Sequence, residues 1–106
     1  MLVLFPHSGL QTAKTRPALV VQADNLQTGV PQVVVAMISS QMFRTGHPCR
    51  VTVPLDSPAG QQSGLLTDSV VMTDNLATVL NRIVDRVIGA LPMNDVDAAL
   101  RRTLGL

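Results

Sequence analysis

Apolar residues fall in short runs divided by polar breaks, a pattern that predicts strands more than helices. Met1–Phe5 is apolar and reads as a buried strand, and Pro6-His7-Ser8-Gly9 breaks it. Residues 6–15 form a polar loop, long for a hairpin, and long loops in compact domains often carry function. Pro17–Gln22 is a short β-branched run whose proline suits the first position of a strand. Asp24-Asn25 and Thr28-Gly29 mark a turn. Gln32–Ile38 carries Val33, Val34 and Val35 in succession, which predicts a strand buried on both faces, ending in Ser39-Ser40-Gln41. Residues 42–49 read as a loop, Arg50–Leu55 alternates as a half-buried strand, and Ser57–Gly64 reads as a loop before a strand at Ser69–Thr73.

The next segment carries two patterns. Leu76, Val79, Leu80, Ile83, Val84, Val87 and Ile88 fit helical spacing, so pattern alone predicts a helix over 76–88, while Val84–Leu91 equally fits a strand. The last element is a helix. Pro92 suits its first position, and Val96, Ala99, Leu100 and Leu104 make one apolar stripe. Asp95 and Asp97 near its start and Arg101 and Arg102 near its end complement the helix dipole, and Gly105 suits the cap. Five or six short strands and a C-terminal helix make an α+β, mainly β, layout in a single domain over residues 1–106.

Composition narrows the chemistry. Trp and Tyr are absent, so the core must be aliphatic. A net charge of +1 without a basic run argues against RNA or DNA binding by bulk charge, and leaves room for a local basic groove. All 7 acids are aspartates. A single cysteine, Cys49, reads as a reduced intracellular thiol. His7 and His47 are the only histidines, so no metal-ligand spacing exists and no metal or cofactor is expected. No run reaches membrane-spanning length, and a soluble cytoplasmic protein is expected.

Certain segments, read in order, carry more. Arg16-Pro17-Ala18-Leu19-Val20-Val21 is followed by Val33–Gln41, Gly64-Leu65, Asp68–Val71, Arg86–Leu91 and a closing Val96-Asp97-Ala98-Ala99-Leu100 with Leu104-Gly105-Leu106. That succession resembles the MazF/PemK family of type II toxin–antitoxin endoribonucleases over almost the whole chain. The resemblance implies an SH3-like, partly open barrel with a C-terminal α-helix, acting as a homodimer. It implies metal-independent, sequence-specific cleavage of single-stranded RNA, with the substrate's own 2′-OH attacking phosphorus. It implies a cognate antitoxin that blocks the same groove. It also implies a short turn or helical piece near 76–83 and a strand near 85–91.

The resemblance points to Arg16 as the phosphate-binding arginine, and a guanidinium offers the permanent charge and fixed donors that a phosphorane needs. Ser39 stands where relatives commonly carry a threonine and keeps the hydroxyl, with Ser40 adjacent. The general base does not carry over. Gln11 and Leu10 occupy the positions of a glutamate and a histidine seen in relatives. Two substitutes remain: Asp74, at an acidic position treated as catalytic in some members, and His7, which titrates near neutrality. Arginines that accompany that acid elsewhere are replaced by Met72 and Ala77. Gln11, Lys14, Thr15, Ser40, Gln41 and Arg44 are the expected RNA contacts, with Arg50 as a further cation, and Phe43 is either a stacking platform or a plug beneath the 42–49 loop. Surface salt bridges, turn bonds and helix caps are the ordinary roles that compete with each assignment. Many relatives carry an Arg-Gly-Asp-type segment before the first strand, whereas Met1 begins inside it, which is expected to shorten an edge strand. The missing glutamate keeps two other functions in view. One is a non-catalytic module that binds RNA, an antitoxin or a protein target such as gyrase, as the related gyrase poison CcdB does. The other is a degenerate toxin.

Overall fold

The computed structural model describes residues 1–6, 15–23 and 26–106. Six strands pair into one antiparallel sheet: β1 (Leu2–Pro6), β2 (Thr15–Val20), β3 (Gln32–Ser39), β4 (Arg50–Val53), β5 (Ser69–Leu80) and β6 (Arg86–Gly89). Their order is β4-β5-β3-β2-β1-β6, and among the described residues no ladder joins β4 to β6. The result is the partly open barrel that the resemblance implies. Among the described residues two α-helices accompany it, α1 (Pro58–Ser63) and α2 (Asn94–Leu104).

Side-chain alternation divides the interior in two. Leu2, Leu19, Ala36, Ile38, Val53 and Val71 point to one face, where Val96 of α2 closes the larger core. Their neighbours Val3, Ala18 and Val35 point to the other face and meet Val79. The uninterrupted valines of β3 therefore serve both faces, as a run without polar gaps requires. Val96 and Ala99 of α2 are buried, whereas Leu104 at the end of the predicted stripe is exposed. Gly105, in the left-handed region with φ 71°, ends the helix by donating its N–H to the Arg101 carbonyl.

Four expectations need correction. β5 continues through Leu76–Leu80, where the pattern predicts a helix and the resemblance a turn, and the 3₁₀ turn is confined to Asn81–Ile83. Pairing decides this: Leu76–Leu80 lies along Ala36–Gln32 of β3, and ladder bonds to a ready strand outweigh a helical spacing of apolar residues. Ser57–Gly64 is not a loop. The Ser57 hydroxyl accepts the Gly60 N–H at 3.0 Å, Pro58 opens α1, and Gly64 caps it. Helix α2 begins at Asn94 with Met93 as its N-cap, so Pro92 lies outside it. Strand β1 is no edge, because it pairs with β2 on one side and β6 on the other.

Backbone approach at α1 also matters. Gly64 has φ 75°, and a Cβ there would run into the Ile88 carbonyl, while a Cβ on Gly89 would meet the Ser63 carbonyl. The Ala90 N–H donates to the Gln62 carbonyl at 3.1 Å across the same junction. Gly46 has φ 82° but open space around it. Gly64→Ala should therefore cost about 3 kcal/mol or more, combining backbone strain with a clash, against about 1 kcal/mol for Gly46→Ala. Urea unfolding of the two variants measures the difference, and equal losses would remove the packing argument.

Candidate active site

Strand β2 begins at Thr15, so Pro17 is its third residue and not its first, because Thr15 and Arg16 already pair with Pro6 and Phe5 of β1. Arg16 is exposed and lines two adjoining hollows. One, of about 270 Å³, is walled by Arg16, Met37, Ile38, Ser39, Ser40, Gln41, Arg44, Met72 and Asn75. The other, of about 380 Å³, shares Arg16, Ile38 and Ser40 and adds Thr15, Leu65, Leu66, Thr67, Arg86 and Ile88 among its walls. The strand end of β3 thus puts Ser39 and Ser40 beside Arg16. The Ser39 hydroxyl accepts the Gln41 N–H at 3.1 Å, which leaves its own proton to donate.

Three arginines, Arg16, Arg44 and Arg86, surround this groove, and among the described residues no acid lines it. That is the local basic groove a net charge of +1 leaves room for. Sequence reasoning missed Arg86 as a site residue, because its place beside Arg16 depends on β6 joining β1 across the sheet. Pairing of Leu4 with both Pro17 and Arg86 is what brings the two cations to one hollow. Thr15, Ser40, Gln41 and Arg44, all expected RNA contacts, line the groove. His7, Gln11 and Lys14 lie outside the described residues.

Asp74 lines neither hollow. It borders a separate cleft of about 390 Å³ with His47, Pro48, Cys49, Arg102 and Thr103. Arg50 grips it in a two-point contact, Nη2 to Oδ2 at 2.9 Å and Nε to Oδ1 at 3.4 Å. These hydrogen bonds, more than the accompanying charge attraction, hold the Asp74 carboxyl below the usual carboxylate range and raise the Arg50 guanidinium further. An acid so held is a weak proton acceptor. Arg50 thus supplies the partner that Met72 and Ala77 do not, from a different strand, which sequence spacing could not indicate. Arg50 also donates from Nη1 to the Arg44 carbonyl at 3.3 Å, tying this ion pair to the groove's wall.

Among the described residues no group of three or more His, Cys, Asp or Glu side chains is placed to hold a metal ion, and no helix is long and apolar enough to cross a membrane.

The sequence matches the family described as PemK-like, MazF-like toxin of type II toxin-antitoxin system over residues 1–104. Endoribonuclease MazF2 of Mycobacterium bovis and Endoribonuclease MazF6 of Mycobacterium tuberculosis are each 31% identical over 104 residues, covering 97% of this chain and 90% of theirs. Among solved structures, Mycobacterium tuberculosis toxin MazF-mt6 superposes with a TM-score of 0.76 at 23% identity, covering 99% of this chain and 96% of its own. An endoribonuclease in complex with its cognate antitoxin, from a mycobacterial species, gives 0.73 at 23% identity over 99% and 92% of the two chains. MazE-MazF from Deinococcus radiodurans gives 0.68 at 25% identity over 98% and 86%.

The Arg50–Asp74 pair makes a pH prediction. Asp74's folded pKa is depressed, so the pair's contribution is full above the ordinary carboxylate pKa and is lost as pH falls through the depressed value. Arg50→Ala should return the Asp74 titration toward the ordinary range. Carboxyl-carbon NMR titration reads this directly, and an unchanged Asp74 midpoint would mean that Arg50 is not the cause.

Proposed function

The chain belongs to the family of PemK-like, MazF-like toxins of type II toxin–antitoxin systems, and on that premise we propose how its own residues cut RNA. It is an endoribonuclease, as the relatives it matches along 97% of its length are named. The proposed substrate is single-stranded RNA read at a short sequence, and the reaction needs no metal. The 2′-OH attacks the adjacent phosphorus, the 5′ oxygen leaves, and the products are a 2′,3′-cyclic phosphate and a 5′-OH.

The observation that carries this reading is the hollow shared by Arg16, Ser39 and Ser40, which no acid among the described residues lines. As the nucleophile closes in line, charge builds on the non-bridging oxygens. Arg16 supplies a permanent cation with fixed donors for that charge. The Ser39 proton, left available by the bond its oxygen accepts from Gln41, is a second donor. Arg44 and Arg86 lie farther along the groove and draw in the flanking phosphates.

The proton of the 2′-OH needs an acceptor. Of the two named from the sequence, Asp74 is the poorer, because Arg50 occupies both its oxygens and the carboxyl lines neither hollow. His7 is retained as the acceptor. It directly follows Pro6, whose Cα pairs with Thr15 beside Arg16. Gln11 and Lys14, from the same stretch of sequence, are read as RNA contacts.

We read the active form as a cytoplasmic homodimer of a single domain, neutralised by a cognate antitoxin that occupies the arginine-lined groove. The solved relative in complex with its antitoxin supports that partner class.

Two measurements test the proposal. Arg16→Ala should lower kcat by roughly 100- to 1000-fold, the usual effect of removing an oxyanion donor, while Arg16→Lys retains part of the rate. Excess EDTA should leave the wild-type rate unchanged. RNA cleavage by purified protein reads both, and full activity in Arg16→Ala would sink the assignment. With His7 as acceptor, kcat/KM should rise through near-neutral pH and lose that limb in His7→Gln. A profile flat above about pH 5 would point back to a carboxylate.

A further inference from the structure

We infer that Phe43, on the turn joining β3 to β4, is a stacking platform that reads a nucleobase beside the phosphate held at Arg16. The inference rests on the endoribonuclease reading. Phe43 is one of 2 phenylalanines in a chain without Trp or Tyr, and it is 80% exposed. That exposure excludes a plug beneath the loop. A ring so presented is open to a single strand, since proteins hold unpaired bases mainly by stacking on aromatic faces.

The ring is presented by a fixed turn. The Arg44 N–H donates to the Gln41 carbonyl at 3.1 Å, and the Thr45 N–H and hydroxyl both donate to the Met42 carbonyl, at 3.2 and 2.9 Å. The Arg44 guanidinium carbon lies 5.5 Å from the Phe43 ring centroid, a cation–π distance. Its Nη1 donates to the Met72 sulfur at 3.5 Å, and its Nε is buried with no partner among the described residues. Arg44 so backs the ring and still lines the hollow with Arg16. Phe43 is four residues along the chain from Ser39, within about 14 Å of it at full extension. The groove's charge selects the occupant. Three arginines and no described acid suit a polyanionic strand better than a neutral peptide.

The test compares wild type with Phe43→Ala and Phe43→Tyr in the full chain. Cleavage ends are mapped on a long RNA. In parallel, mixed-sequence 2′-deoxy oligonucleotides carrying one 2-aminopurine, which cannot be cut, report stacking by fluorescence quenching. Phe43→Ala should lose the quenching, flatten the base preference at one position beside the cut, and raise KM roughly tenfold or more with little change in kcat. Phe43→Tyr should restore all three. Thermal melting should be unchanged in both, since the ring is exposed. Wild-type quenching and wild-type base preference in Phe43→Ala would overturn the inference, as would a variant weakened only toward a protein partner. If no protein cuts RNA yet quenching is lost in Phe43→Ala, the platform stands and the enzymatic reading falls.

Discussion

Between Met72 and Leu76, β5 carries three residues, Thr73 to Asn75, that β3 does not match, because the neighbouring residues Met37 and Ala36 pair with Met72 and Leu76. The anchor of the C-terminal helix, the Asp74–Arg50 pair and one wall of the groove all stand at that bulge. Without it, β5 would run straight past β3, and successive side chains would alternate between the two faces. With it, three adjacent residues take three separate tasks. Thr73 turns inward, fully buried, and its hydroxyl donates to the Cys49 carbonyl at 2.6 Å and meets the Thr103 hydroxyl of α2 at 2.8 Å. Asp74 turns outward to Arg50. Asn75 reaches the hollow with Ser39 and Arg16. The bulge thereby anchors the C-terminal helix and one wall of the groove at the same place.

The groove's electrostatics depend on the same arrangement. By net charge this protein is a poor candidate for binding a polyanion. Its capacity comes from segregation: Arg16, Arg44 and Arg86 line the groove, while Arg50 is paired with Asp74 on the far side of the turn. The Arg50 link to the Arg44 carbonyl connects the two regions, so the ion pair helps to set the shape of the groove's wall. Asp74, one of the two candidate proton acceptors, is the acid held in that pair.

Most of the strand framework was legible in the residues. The valines of β3 and the alternation of β4 each follow from local preferences that the fold then respects. Two elements were not read, for different reasons. Helix α1 had its cues in plain view, Ser57-Pro58 before and Gly64 after, but six residues rich in Gly, Gln and Ser resemble a loop in composition. The second half of β5 had misleading cues, since its apolar spacing suits a helix, and only the waiting edge of β3 makes it a strand. At the site, the positions of Ser39 and Ser40 beside Arg16 followed from the order of motifs, whereas Arg86 did not, because its neighbour is two strands away in the sheet.

By itself the sequence determined the family, and it named Arg16, with Ser39 and Ser40, as the candidates for a phosphate site. These depend on residue identity within short segments, where chemistry and chain order suffice. Tertiary structure decided the matters that depend on which segments meet. It gave Asp74 to Arg50, and so reduced its capacity to accept a proton. It brought Arg86 to the groove through the pairing of β6 with β1. It left Phe43 in water on a pinned turn and not under a loop. A side chain's exposure and its charge partners arise from packing between distant segments, and no local pattern in a chain of 106 residues encodes them.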